Sequence, residues 1–147
     1  MKVIAMNTLA VLAGVVAGSL VNMGLVNAGP LVVPLPEGAD VSTMEGLRRS
    51  MELFTPVNFL FPFLAHALGT LAGAFLAAKI AASHRVKFAI GIGVFFLAGG
   101  IAAARMLGGP LWFIATDLVV AYIPMAWLGA VLARATRNKA APQPAPA

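Results

Sequence analysis

Four stretches of the chain are almost continuously apolar, roughly 3–26, 56–82, 88–107 and 111–133, and polar residues gather between them. Each runs about 20 residues or more, which at ~1.5 Å per helical residue covers the ~30 Å of bilayer hydrocarbon. None alternates in the manner of a membrane β-strand. Helices are therefore the spanning solution, because each satisfies its own backbone hydrogen bonds. The pattern predicts an all-α integral membrane four-helix bundle, a single domain over 1–137, followed by a Pro/Ala-rich disordered tail over 138–147.

Within the first run, Ala10, Gly14 and Gly18 recur at spacing four, and Asn22 extends that face. Ala65, Gly69, Gly73 and Ala77 form the same stripe in the second run. Small residues at this spacing let two backbones approach, so both stripes are expected to be packing faces. Val26-Asn27-Ala28 also resembles a signal-peptidase site, but the apolar run before it is longer than a usual signal segment and follows a single Lys2.

The longest connection, 27–54, divides in two. Its GPLVVPLPEG part carries three prolines and is expected to be extended. After it, DVSTMEGLRRSMELF has the pattern of a short amphipathic helix. Ser42 and Glu45 stand at capping-box spacing, and Val41, Met44, Leu47, Met51 and Phe54 share one face. Glu45 and Glu52 are spaced to pair with Arg48 and Arg49. Such a helix lies on the membrane surface or caps the mouth of the bundle. Thr55-Pro56 then reads as the cap and first turn of the second span, which Pro62 should kink. Gly108-Gly109-Pro110 turns the chain into the fourth span, which Pro124 should bend.

Composition fits this reading and changes little of it. Only 10% of residues are charged against 61% hydrophobic, too few to cover a water-soluble surface of this size. The net charge of +5 does not point to nucleic acid, because the basic residues sit at the ends of the spans. Lys2, then Lys79, Arg85 and Lys87, then Arg134, Arg137 and Lys139 fall on one side of the alternating topology. The positive-inside rule makes that side cytoplasmic. The expectation is a multi-pass protein of the bacterial inner (cytoplasmic) membrane with both termini in the cytoplasm.

Of the polar residues inside the spans or at their edges, Asn22, Asn58, His66, Thr70, Arg105 and Asp117 are the candidates for a common site. At ~1.5 Å per residue their depths allow a shared site in the outer half of the bundle. Arg105 and Asp117 are the charged members, and each is costly in hydrocarbon unless paired or hydrated. They belong to consecutive helices, so an ion pair locking that hairpin is expected first, and a charged pocket wall second. His66 is expected to bond Asn58, Thr70 or another helix, or else to act near Asp117 as a proton carrier, since imidazole titrates near neutrality.

Several chemistries are excluded or unsupported. With no cysteine there is no dithiol chemistry and no thiolate metal site. The HALGT segment lacks the glutamate and second histidine of a zinc-hydrolase motif, and no serine has a nucleophile-elbow setting. His66 and His84 are about five turns apart, too far to share one haem iron. Small multidrug exporters have this size and span number, but they carry an acid in the first span, where this chain has none. No cofactor, metal or catalytic residue is expected. Beyond the bilayer itself, the leading expectation is a non-enzymatic protein acting by helix packing, as a homo-oligomer or an accessory subunit of a membrane complex. The alternative is a small-solute or proton-coupled transporter using His66, Arg105 and Asp117.

Overall fold

A computed structural model of the protein describes residues 1–140; most of the Pro/Ala-rich tail lies outside them. The described residues are all-helical, with no strand. The helices are α1 (Lys2–Val32), α2 (Met44–Ser50), α3 (Leu60–Ile80), α4 (Arg85–Leu107), α5 (Leu111–Val120) and α6 (Ile123–Ala140), with a 3-10 turn over Pro56–Phe59 leading into α3. Four segments are long and apolar enough to cross a membrane: α1, the 3-10 turn with α3, α4, and α5 continued by α6.

Three local outcomes differ from the sequence reading, each for an identifiable reason. First, α1 does not stop before the prolines but continues through Pro30 to Val32. A proline this close to a helix end costs only the bond to the carbonyl of Val26, and the turn closes with Val33 N–H donating to Gly29 O at 2.8 Å. Second, the cap of α2 is Thr43 rather than Ser42. Thr43 Oγ1 accepts from Gly46 N–H at 2.9 Å, while Ser42 donates both its N–H and its hydroxyl to Asp40 Oδ1. Third, the kink ascribed to Pro62 takes the form of a change from 3-10 to α winding at Leu60. Pro62 has no N–H to offer the carbonyl of Asn58, so the first turn stays tighter.

At the centre stands α3, packed against α1, α4 and α6. Its contact with α1 is backbone against backbone. A Cβ placed on Gly73 would lie 2.5 Å from the Gly14 carbonyl oxygen, and one on Gly69 would lie 2.8 Å from that of Gly18. The two predicted small-residue stripes thus face one another within one chain. Alanines dominate the rest of the core: Ala74, Ala77 and Ala78 of α3 meet Ala126, Ala130 and Ala133 of α6, with Ile92 of α4 beside them. The opposite face of α1 presents Leu9, Leu12, Val16 and Leu20 outward, the arrangement that lipid favours over water.

Most of the basic residues, all but Arg48, Arg49 and Arg105, belong to one end of this bundle. Asn7, near the start of α1, donates to Ser83 Oγ at 2.9 Å and accepts from Ala82 N–H at 3.0 Å, which holds the α3–α4 turn against the N-terminus. Lys79 donates to Thr136 Oγ1 of α6 at 3.0 Å, bringing the end of the last helix to the same level. At the other end lie α2, the 3-10 turn and the α4–α5 hairpin.

Candidate functional site

The only acid inside the long apolar segments, Asp117, stands on the last turns of α5 and is buried. Its carboxylate is held from two sides. His66 of α3 places Nδ1 2.9 Å from Oδ1 and 3.0 Å from Oδ2. Tyr122, also buried, donates its phenol to Oδ2 at 2.9 Å. The imidazole and phenol rings stack at 5.7 Å with an interplanar angle of 30°, which closes the triangle. When the carboxylate is ionised, Nδ1 carries the proton it donates. If the imidazole is neutral, Nε2 then presents a lone pair; in either state Nε2 has no hydrogen-bond partner among the described residues.

This cluster borders open space. A cavity of about 380 Å³ extends from His66 and Asp117 toward the α2 end of the bundle. Its walls are largely apolar, with Phe61 and Pro62 of α3, Leu107 of α4 and Phe113 of α5 among them. Leu47, Met51 and Phe54 close it from above, so the apolar face of the α2 segment caps the bundle mouth. The volume falls in the lower part of the range typical of small-molecule sites, ~300–1,000 Å³, as does its composition of apolar walls with few polar groups. His66 keeps 26% of its side chain exposed whereas Asp117 keeps 6%, so the imidazole is the member that faces the space.

A second cavity, about 300 Å³, lies on the other side of His66 between α1 and α4. Asn22, Thr70 and Tyr122 line it. Thr70 is fully buried, and its hydroxyl has no partner among the described residues. A hydroxyl in that condition normally finds a carbonyl or a bound water.

The six sequence candidates are therefore brought together only in part. His66 and Asp117 meet, and Thr70 and Asn22 line the adjoining space. Asn58 does not reach His66. It sits at the cavity mouth, accepting from the Thr55 N–H and hydroxyl at 2.9 and 2.8 Å and donating to Pro34 O at 3.3 Å, so it ties the long loop to the start of α3. The expected ion pair between Arg105 and Asp117 is absent. Arg105 occupies the exposed last turn of α4, while Asp117 lies deeper and turns toward α3, where an imidazole satisfies it.

Tyr122 escaped the sequence reading. Five residues beyond Asp117, it would point about 140° away from it on a continuous helix. The break between α5 and α6 at Ala121–Tyr122 removes that restriction. The break itself had a signal: Pro124 offers no N–H to the carbonyl of Val120. Among the described residues no further carboxylate or imidazole joins His66 and Asp117 in a metal-holding cluster. Comparison with family models, curated proteins and solved structures finds no match to this chain.

Proposed function

We propose that the chain is a multi-pass membrane protein that binds a small, largely apolar solute in the cavity beside His66 and Asp117 and couples its movement to a proton on that pair. The observation that carries this reading is the position of the pair at a cavity wall, with Nε2 unpartnered, rather than sealed in the core. A ligand with an apolar body and one hydrogen-bonding group matches apolar walls ending in one imidazole nitrogen. Proton coupling follows from charge counting. With one shared proton beyond the Nδ1 proton of a neutral imidazole the pair is net neutral, and without it a net negative charge remains against apolar walls, which is costly. Solute that approaches Nε2 changes this balance, and the balance in turn changes the affinity for solute.

Helix packing as the function, through a homo-oligomer or a larger complex, has less support. The stripes that suggested it pack against each other within the monomer. We further propose residence in the inner membrane with both termini cytoplasmic and the α2 end outside; the orientation has support from the gathering of most basic residues at the end that holds the N-terminus and the α3–α4 turn. No catalytic chemistry is proposed.

The test is proton flux into proteoliposomes under an imposed pH gradient, for the native chain, His66→Ala and Asp117→Asn. Flux that is lost in either folded variant supports the reading. Absence of flux in the native chain, or flux unchanged in both variants, overturns it.

A further inference from the structure

Three arginines from two separate helices converge at one place in the fold. Arg48 and Arg49 of α2 and Arg105 from the last turn of α4 line one open depression of about 790 Å³ at the α2 end of the bundle. One carboxylate, Glu52, lines it with them. Glu45, outside the lining, is 3.2 Å from Arg48 and 3.9 Å from Arg49, so a single acid serves two guanidinium groups. Arg105 has no acid partner among the described residues, because Asp117 is occupied by His66 and Tyr122. The lining holds three guanidinium groups against Glu52, with Glu45 and Asp40 beside the α2 pair, so the uncompensated positive charge of the depression is that of Arg105, at the end of the bundle opposite the lysine-rich one. Topology accounts for the other cluster but not for this one.

The remaining wall selects among anions. Met51, Phe54, Phe59 and Met106 face the same depression, and Trp112, half-exposed, stands on it at the level where interfacial aromatics collect. A free inorganic anion gains nothing from an apolar and aromatic wall. An anionic headgroup joined to an apolar body uses both halves. We infer that Arg48, Arg49 and Arg105 form a binding site for a phosphate-bearing headgroup, supplied by an anionic phospholipid of the surrounding leaflet. Guanidinium groups suit this chemistry because their fork of N–H donors matches phosphate oxygens two at a time. The site uses none of the groups of the His66–Asp117 cluster, so it stands or falls separately from the proposed transport.

The experiment is native mass spectrometry of the full chain in neutral detergent. It is titrated with phosphatidylglycerol or phosphatidylcholine, with and without inorganic phosphate as competitor. The expected result is preferential retention of phosphatidylglycerol. Arg105→Gln should weaken retention on the order of tenfold, the cost of one charged hydrogen bond. Arg48→Gln with Arg49→Gln should weaken it further, Arg105→Lys should restore part of it, and Arg134→Gln at the opposite end should leave it unchanged. Displacement of the lipid by inorganic phosphate alone would overturn the lipid source in favour of a soluble phosphate ester. Equal retention of the two lipids, or retention unaffected by the arginine changes, would overturn the site itself.

Discussion

Deletion of the Tyr122 hydroxyl tests whether the buried cluster is energetically real. Tyr122→Phe keeps the ring, its stacking on His66 and its packing, and removes one hydrogen bond of 2.9 Å to Asp117. A hydrogen bond to a charged group contributes about 1.5–3 kcal/mol in a water-soluble protein. Inside a bundle in lipid, measured interhelical hydrogen bonds average about 0.6 and reach about 1.7 kcal/mol, because the unfolded helices also find partners. Near-complete burial of both groups places this bond at the upper end, so a loss of about 1–2 kcal/mol is expected. Asp117→Ala orphans both the Tyr122 hydroxyl and His66 Nδ1. His66 is partly exposed and recovers a partner from the cavity, which confines its share. The expected loss is about 2–4 kcal/mol. If one bond links the two residues, the double variant is less destabilised than the sum of the singles, by about 1 kcal/mol. Reversible unfolding in mixed micelles reads all four corners of this cycle. A coupling indistinguishable from zero would refute the argument, since the carboxylate would then be held by something other than the phenol.

Two further outcomes follow from geometry at other places. Gly73→Ala drives a methyl against the Gly14 carbonyl oxygen, a backbone atom that cannot swing aside, and should cost about 1–3 kcal/mol in the same unfolding assay. Gly91→Ala meets nothing within 4 Å and should be neutral or stabilising by up to about 1 kcal/mol; a loss matching that of Gly73→Ala would contradict the close α1–α3 approach. At the cap over the cavity, Glu45 is held below the usual glutamate value of 4.5, first by its hydrogen bond from Arg48 and then by the charge of that group. A depressed carboxyl stabilises the folded form above its unfolded value and loses that contribution as pH falls through the lowered folded value. Amide exchange across α2 should therefore accelerate below about pH 4.5 relative to α3, and equal behaviour of the two helices would count against the pairing.

The spans were legible because hydropathy reports burial in any apolar medium, and the small-residue stripes because they recur at helical spacing. What the stripes faced was not legible, since a partner helix in the same chain and one in a second copy demand the same residues. The boundaries missed at Val32 and Thr43 turned on competition between neighbours. Asp40 captures Ser42 and leaves Thr43 to cap, and Pro30 is tolerated because the helix ends one turn later. For the site, depth along each span put His66 and Asp117 at levels where they can meet, as they do, but adjacency in sequence suggested a different partner for the acid, Arg105. Arg105 and Asp117 lie on consecutive helices, yet which face of α5 turns inward is decided by its packing on α3, 51 residues away from Asp117 at His66.

The cluster depends on two residues that carry no polar side chain. Pro124 leaves Val120 without its helical donor, and the fourth span yields at Ala121–Tyr122, which frees the tyrosine to turn back toward Asp117. The phenol then needs room against α4, and Gly100 provides it: a Cβ there would collide with the Tyr122 hydroxyl. Neither condition suffices alone. An unbroken helix would set Tyr122 about 140° from Asp117, and a Cβ at position 100 would fill the seat of the hydroxyl. The chain from sequence to chemistry therefore runs from a missing N–H and a missing Cβ to the placement of one phenol. From there it passes to a carboxylate held from two sides, and last to a partly exposed imidazole that lines the cavity. Gly100→Ala should displace the phenol and perturb proton flux with His66 and Asp117 both intact. Native flux in that variant, with the fold retained, would show that Tyr122 only packs and takes no part in positioning the pair.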